Sequence, residues 1–598
     1  MTTNDNSPPF DDSPHWDLDQ LYVLGSEQLY RDLELIEKKR AAFVEKRERL
    51  IPGEGLDKEE FLAFLSDLEE TSMMAERLGC FAALNFSQDT SDQKAQSFLA
   101  SIDEKLALLD NSFLFLDLWF KQLPQETAQQ MISHAPDYSY WLNRIRAFKD
   151  HTLSEAEEKI INLKNVTGSQ ALVKLYDTIT NSYKFKTDFA DVSPGKSVSR
   201  EELMVYVRSH NPQERSGAYQ ELHRVFGQDG PVLGQIYQSL VRDWAIEEMT
   251  LRRYPSPQSA RNKRNDLRQE TVDSLLRVCR SKSSQVFGEY FKLKAKRLGL
   301  KTLRRYDLYA PLVEAPGSYS FSEGLGEVEA AFVDFDPKFA SLALNVPKAK
   351  HLSALQKEGK QSGAFCASTV PKEIPWVLMN YNGRRQDMFT LAHELGHAVH
   401  SQLACGQNFF HFHSSLPLAE TASTFAEMLL AKRLMDTAAD AAHKEDLAFH
   451  ILDDAYATVG RQAGFALFEV QAHDMISRGA TADELSDAYL QNLAEQFGDS
   501  VQLSEEFRWE WVSIPHFFHS PFYVYAYSFG QLLVYSLWKI YLRQGADFVP
   551  KLTSLLSKGG SASPEDIIAS AGLGPLDDDF WAGGFDVIQT LLPQVDQA

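Results

Sequence analysis

Thr390-Leu391-Ala392-His393-Glu394-Leu395-Gly396-His397-Ala398-Val399-His400 is the stretch from which the rest of the chain is read. At 3.6 residues per turn His393 and His397 lie one turn apart on the same face, the separation at which two imidazoles grip one metal ion. Glu394 stands about 100° round the helix from His393. That sets a carboxylate beside the metal rather than on it, where it can accept a proton from a water the metal has acidified. Leu391, Ala392, Leu395, Ala398 and Val399 make the segment apolar nearly all round, so a buried helix is expected. A buried His-Glu-His cluster is costly to desolvate unless a cation compensates it.

Upstream, Ser362–Ser368 (SGAFCAS) and Ile374–Gly383 (IPWVLMNYNG) are short, apolar and rich in aromatic or β-branched residues. They predict a small hairpin just ahead of the helix. An exposed edge strand in that position can pair with the backbone of an extended peptide, with Gly363, Ala364 and Phe365 as the residues in contact. Downstream, a hydrolytic zinc site calls for a third protein ligand and an open fourth position. No Asp or Glu occurs between Ala398 and Ala419, and the first carboxylate after His397 is Glu420, in LAETASTFAEMLL. This spacing excludes a metzincin, which would need histidine where Leu403 stands. It also excludes the thermolysin and aminopeptidase patterns, whose glutamate would fall near Leu416 or Pro417. Glu427, two turns beyond Glu420, is spaced to hydrogen-bond a ligating imidazole. His400, His411 and His413 remain alternative third ligands.

Further on, Ile514–Tyr527 (IPHFFHSPFYVYAY) concentrates possible hydrogen-bond donors. When water attacks a peptide carbonyl an oxyanion develops, and His516, Tyr523 and Tyr527 could each donate to it. Tyr523 and Tyr527 share a helical face at a spacing of four, which turns Tyr525 elsewhere.

The chain has 598 residues, enough for two to three subdomains around one site, and a formal net charge of −23. Such acidity, with a pI near 5.2, argues against nucleic acid and anionic membranes as partners. The first 25 residues carry no basic region followed by an apolar run, and no window is apolar enough for a membrane span. Cys80, Cys279, Cys366 and Cys405 lack ligand-like spacing and suit a reducing interior. The cytoplasm is the default compartment, and nothing forces self-association, so a monomer is expected.

Residues 1 to about 15 read as a loose polar tail. Helical patterns follow from Ser26, an N-cap with Leu29, Leu33, Ile36 and Phe43 on one face, and continue over 57–89, 93–122, 126–147 and 153–183. Lys184–Val198 alternates aromatic and β-branched with polar residues around a turn at Pro194-Gly195. Helix resumes after a Ser199/Glu202 capping box. The main boundary is placed there, giving a helical N-terminal domain over 1–198 and a metal-binding catalytic domain over 199–598. Amphipathic helices return from 200 to 300, broken by Gly230-Pro231 and Pro255-Ser256-Pro257, and Arg305–Pro311 (RYDLYAP) reads as a turn or short extended piece.

Taken together, HELGHAVH at 393–400, LAETASTFAE at 418–427, SGAF at 362–365, the 514–530 segment, WDLDQLY at 16–22 and YDLYAP at 306–311 resemble the oligoendopeptidase F branch of the thimet oligopeptidase family of zinc metallopeptidases. The likeness spans nearly the whole chain and is most specific around the two zinc-ligand segments. It implies a mainly α fold in which two helical lobes enclose a deep central substrate channel, a small β-sheet beside the zinc helix, and hydrolysis of internal bonds in short peptides. Residue by residue it assigns one Zn²⁺ to His393, His397 and Glu420, the general base to Glu394, and a supporting hydrogen bond to Glu427. His516 and a tyrosine, Tyr527 before Tyr523, would steady the charged intermediate. An exopeptidase on the same scaffold would need a fixed cation such as Arg384 or Arg385 for the terminal carboxylate, and a peptide-binding protein without turnover is the other rival.

Overall fold

The computed structural model describes residues 14–51, 53–187, 189, 197–312 and 318–596. Helices dominate it, interrupted by short strands. Ser26 caps the helix Glu27–Arg49 by accepting the Leu29 N–H at 3.2 Å, and Leu29, Ile36 and Phe43 are buried along one face. The long helices Lys58–Gln88 and Gln93–Gln122 follow, started by the carboxylates of Asp57 and Asp92.

The helices expected over 126–147 and 153–183 are each split. Pro136 ends the first, because it lacks an N–H and disfavours helical geometry in the residue before it. The chain passes from Gln125–His134 through a short 3₁₀ turn into Ser139–Ala147. Gly168 divides Glu155–Thr167 from Ser169–Asn181, and a Cβ there would stand 2.9 Å from the Lys164 carbonyl oxygen. Phe185–Lys186 and Ser197–Val198 pair antiparallel, and the Ser199/Glu202 capping box opens the helix Arg200–Tyr206. The turn expected at Pro194-Gly195 and most of the expected N-terminal tail lie outside the described residues.

The chain divides into two compact units, each drawn from three segments. The first comprises Met1–Asp150, Pro316–Arg433 and Gln544–Leu573, the second His151–Ala315, Leu434–Arg543 and Gly574–Ala598. The pattern change at 198/199 falls inside the second unit, because contacts made late in the sequence, not local periodicity, decide which segments cluster.

In the first unit a three-stranded sheet backs the helix that carries the histidines. Trp376–Tyr381 is its central strand, parallel to Leu352–Leu355 and antiparallel to Phe365–Ala367 with Cys366 opposite Val377. The expected hairpin is present, joined by a parallel third strand. Residues 14–22 close over this sheet: Trp16 packs on Phe365 and Trp376 at 6.5 and 6.3 Å, and the Asp17 N–H donates to the Lys350 carbonyl at 2.8 Å. Strand passes to helix at Gly383, whose φ of +80° and missing Cβ let the chain turn against Ser318 and Tyr319. The Asp387 carboxylate holds that turn by accepting the N–H groups of Asn382 and Arg384 at 2.7 and 3.0 Å.

In the second unit the helix Gln269–Arg297 packs along Asp578–Asp596. Its interior holds the ion pairs of Lys294 with Asp453 at 2.7 Å, Arg215 with Asp307 at 2.7 Å, and Arg305 with Glu510 at 2.7 Å. Among the described residues no helix is long and apolar enough to cross a membrane.

Candidate metal centre

The helix Arg385–Leu403 carries His393, Glu394 and His397, and crosses the helix Thr421–Thr437 at Gly396. A Cβ on Gly396 would stand 2.6 Å from the Ser423 Cα and 2.7 Å from the Ala422 carbonyl oxygen, both backbone atoms that cannot swing aside. This close crossing brings Glu420 and Glu427 to the histidines. Gly396→Ala is therefore expected to push the helices apart, destabilising the fold by about 1–3 kcal/mol and weakening metal binding. Unfolding midpoints with and without added zinc measure both effects, and a variant with unchanged midpoints would show that the crossing has room to spare.

One oxygen of Glu420 lies 3.3 Å from Nε2 of His393 and 3.3 Å from Nε2 of His397. The three ligand atoms lie within 4.8 Å of one another. Two ligands about 2.0–2.1 Å from zinc at the tetrahedral angle are about 3.3–3.4 Å apart, so the donor set fits zinc in chemistry and spacing. Behind His393, the Glu427 carboxylate meets Nδ1 at 2.5 Å, the carboxylate–imidazole arrangement that orients a ligating histidine and raises its basicity. Ser423 Oγ donates to Glu420 at 2.9 Å.

The electrostatics favour a cation here. Burial alone would keep His393 neutral, but its hydrogen bonds to Glu420 and Glu427 outweigh burial and push its pKa up to about 10. Glu420 is half exposed; partial burial acts to raise its pKa, and the hydrogen bonds from the two imidazoles overcome this and hold it well below the usual carboxylate range. Glu394 is only 6% exposed, and burial raises its pKa against the lowering influence of His393 and His397. A carboxyl moved upward from its ordinary value is better matched to taking and returning protons near neutral pH.

These groups open on a cavity of about 530 Å³. Ala364 and Phe365 line it, and Phe365–Ala367 is an edge strand whose other edge is unpaired in the sheet. Gly363 does not line it: it is exposed at φ +83°, and its carbonyl accepts from Asn380 at 3.0 Å. Among the described residues the alternative ligands stay outside the His393/His397/Glu420 group: His400 is buried and lines the cavity wall with His413, and His411 accepts the Trp141 N–H at 3.1 Å. Arg384 pairs with Asp387 at 3.1 Å.

Cys366, Ser368, Ser401, Phe412 and Ser414 also line the cavity. None was marked from sequence. Ser401 could have been, since it lies four residues past His397 on the same face. Phe412 and Ser414 arrive by an irregular excursion of the chain that leaves no periodic signal.

The second unit gathers His516, Tyr523 and Tyr527. His516 Nε2 and the Tyr527 hydroxyl are 3.1 Å apart, the Tyr523 and Tyr527 rings 5.4 Å apart, and Tyr527 is partly exposed. Burial first, then the neighbouring His519 and Arg461, lower the pKa of His516. Tyr525 is buried, its hydroxyl accepting from Asn265 at 2.8 Å. Tyr523 precedes the helix Tyr525–Gln544 and is set by a turn at Phe522, with φ +57°.

The Phe522 N–H donates to Glu469 at 2.8 Å, and burial pushes the Glu469 pKa up to about 8 despite that bond and Arg261. An acid whose folded pKa exceeds its unfolded value near about 4.3 contributes stability that is complete below the unfolded value and lost as pH rises through the folded one. Glu469→Gln, which keeps the acceptor and cannot ionise, is expected to flatten the fall in unfolding midpoint between pH 5 and 8. The variant should then be the more stable protein at pH 8. Parallel profiles for the two proteins would contradict this.

Two family models match the chain: "Peptidase family M3" over residues 343–586 and "Oligopeptidase F" over residues 119–185. An oligoendopeptidase F homolog of Lactococcus lactis subsp. lactis is 24% identical over 97% of this chain and 96% of its own length. Oligopeptidase PepF of Bacillus subtilis is 26% identical over 83% of this chain and 75% of its own. In fold, the chain matches a Chlamydophila abortus protein described as a peptidase with TM-score 0.87 and 22% identity, covering 98% of each chain. It matches oligoendopeptidase-F of Enterococcus faecium with TM-score 0.68 and 21% identity, covering 97% of this chain and 99% of the other. The first family model takes in both histidines, Glu394, Glu420 and Glu427, and on these grounds the chain belongs to peptidase family M3, in its oligoendopeptidase F branch, and is a hydrolase of the metallopeptidase class.

Proposed function

We propose that this protein is a zinc-dependent endopeptidase that hydrolyses internal bonds of short peptides. The observation that carries the reading is the single Glu420 oxygen equidistant from His393 and His397, with Glu427 behind one ring and a buried Glu394 beside both. His393, His397 and Glu420 would hold one Zn²⁺, which when bound polarises the peptide carbonyl and acidifies a water. Glu394 takes the proton of the attacking water and returns it to the leaving amine. Ala364 and Phe365, with Gly363 at the turn before them, align the substrate backbone along the free edge of the sheet, which recognises extended peptide and asks little of its side chains. His516 and Tyr527, supported by Tyr523, donate hydrogen bonds to the oxyanion. The resemblance further implies a deep channel that admits short peptides and turns folded proteins away. On composition and charge we assign a cytoplasmic monomer with no nucleic-acid or membrane partner.

A quenched peptide blocked at both ends tests the reading. It is expected to be cut internally, to stop being cut on chelation, and to be cut again when zinc is returned. Cleavage confined to peptides with a free C-terminus would make the protein an exopeptidase, and binding without turnover would make it a peptide-binding protein.

A further inference from the structure

The short helix Pro515–His519 carries His516, and the helix Tyr525–Gln544 carries Tyr527. Residues 520–524 join the two helices. The shape of that connection therefore decides whether His516 Nε2 and the Tyr527 hydroxyl meet at 3.1 Å, and whether the Tyr523 ring lies parallel to His516 with centroids 6.1 Å apart. At its centre Phe522 has φ +57°, a left-handed conformation that a bulky side chain rarely adopts and that lasts only where surrounding groups impose it.

Two side chains grip opposite sides of one peptide group here. The Pro521 carbonyl accepts from Arg261 Nε at 3.0 Å, and the N–H of the same peptide unit, on Phe522, donates to Glu469 Oε1 at 2.8 Å. Arg261 comes from the helix Pro257–Arg264 and Glu469 from the helix Arg461–Ser477, so the grip joins elements far apart in sequence. Turning this peptide over would exchange its donor and acceptor and break both bonds. The Phe522 ring is 2% exposed and packs on His473 with centroids 4.4 Å apart, which fixes the side chain as well. Glu469 carries a desolvation cost at this position: it is 1% exposed, and its second carboxylate oxygen has no hydrogen-bond partner among the described residues. An apolar side chain would avoid that cost. What the carboxyl adds is an acceptor for the Phe522 N–H.

We propose that Glu469 and Arg261 are positioning residues for the oxyanion donors: by fixing the Pro521–Phe522 peptide from both sides, they hold the connection in the shape that sets Tyr523 and Tyr527 beside His516. This rests on the oxyanion role given to His516 and Tyr527 above. It adds that the rate of the chemical step depends on two side chains that act through the backbone alone.

The test is kcat and KM of the zinc-loaded full-length protein on a quenched peptide blocked at both ends, for wild type, Glu469→Leu, Glu469→Gln, Tyr527→Phe and the double variant Glu469→Leu/Tyr527→Phe. Leucine removes the acceptor and glutamine keeps one. Tyr527→Phe is expected to lower kcat by about 100-fold, and Glu469→Leu by about 10–100-fold with KM little changed, the range found when an oxyanion donor is lost or misplaced. Glu469→Gln should recover most of that loss. A residue acting through Tyr527 loses part of its effect once the hydroxyl is gone, so the double variant is expected to fall clearly short of the product of the two single losses. A folded Glu469→Leu protein with wild-type kcat, a Glu469→Gln protein as impaired as the leucine variant, or a double variant that shows the full product overturns the proposal. Should Glu469→Leu fail to fold, Arg261→Met releases the other side of the same peptide. It is expected to lower kcat about tenfold, and a folded variant with wild-type kcat likewise overturns the proposal. Failure of the underlying oxyanion reading has its own signature, wild-type kcat in both Tyr527→Phe and His516→Phe, and takes the proposal with it.

Discussion

Glu394→Gln is expected to leave one zinc per chain and a normal unfolding midpoint while kcat falls by about 10³-fold or more, roughly 4 kcal/mol of lost transition-state stabilisation. Glutamine matches the shape of the carboxylate and cannot accept a proton. Glu394 lines the cavity beside the ligands, contributes no atom to the His393/His397/Glu420 set, and makes no part of the helix crossing at Gly396. Turnover and metal content measured on the same preparation separate the two roles. Near-normal turnover would remove Glu394 from the chemistry, and loss of zinc would make it a ligand.

Glu420→Ala is expected to do the reverse at the first step, lowering zinc affinity by more than about 10²-fold and activity with it. Of the carboxylates left near His393 and His397, Glu427 is hydrogen-bonded to the side of His393 that faces away from Glu420. Saturating zinc should restore part of the lost turnover in this variant and none in Glu394→Gln, a contrast that distinguishes holding the metal from moving the proton. Chelator competition supplies the affinities. A Glu420→Ala protein that binds zinc like the wild type would assign the third ligand to another residue, and His413 in the cavity wall would be examined first.

How much of this was legible in the sequence depends on the range of the interaction. His393, Glu394 and His397 could be read directly because a helix places residues one and four apart in known relation. The strands at 365–367 and 376–381 could be read because each is a short apolar run bounded by turn residues. Glu420 was found by the absence of any nearer carboxylate, and Glu427 by its spacing from Glu420. Each of these inferences uses a local rule.

What escaped was set by distant contacts. The parallel strand Leu352–Leu355 has no hairpin partner to announce it. The two units interleave three segments apiece, and no change of pattern marks Asp150 or Arg433 as a boundary. The breaks at Pro136 and Gly168 were visible as residues, and were passed over because the apolar periodicity continues across them. Gly363, expected beside the substrate, forms the exposed turn before the edge strand, where its φ is positive and its carbonyl accepts from Asn380. His400 looked like a possible ligand by spacing alone; in the fold it is buried in the cavity wall and stays outside the His393/His397/Glu420 group.

The most direct test of the metal assignment is anomalous X-ray scattering at the zinc edge from crystals of the zinc-loaded protein. The expected result is a single peak bonded to Nε2 of His393, Nε2 of His397 and a carboxylate oxygen of Glu420, with Glu394 alongside but not bonded. No peak there, or a peak whose third protein ligand is any residue other than Glu420, would contradict the account.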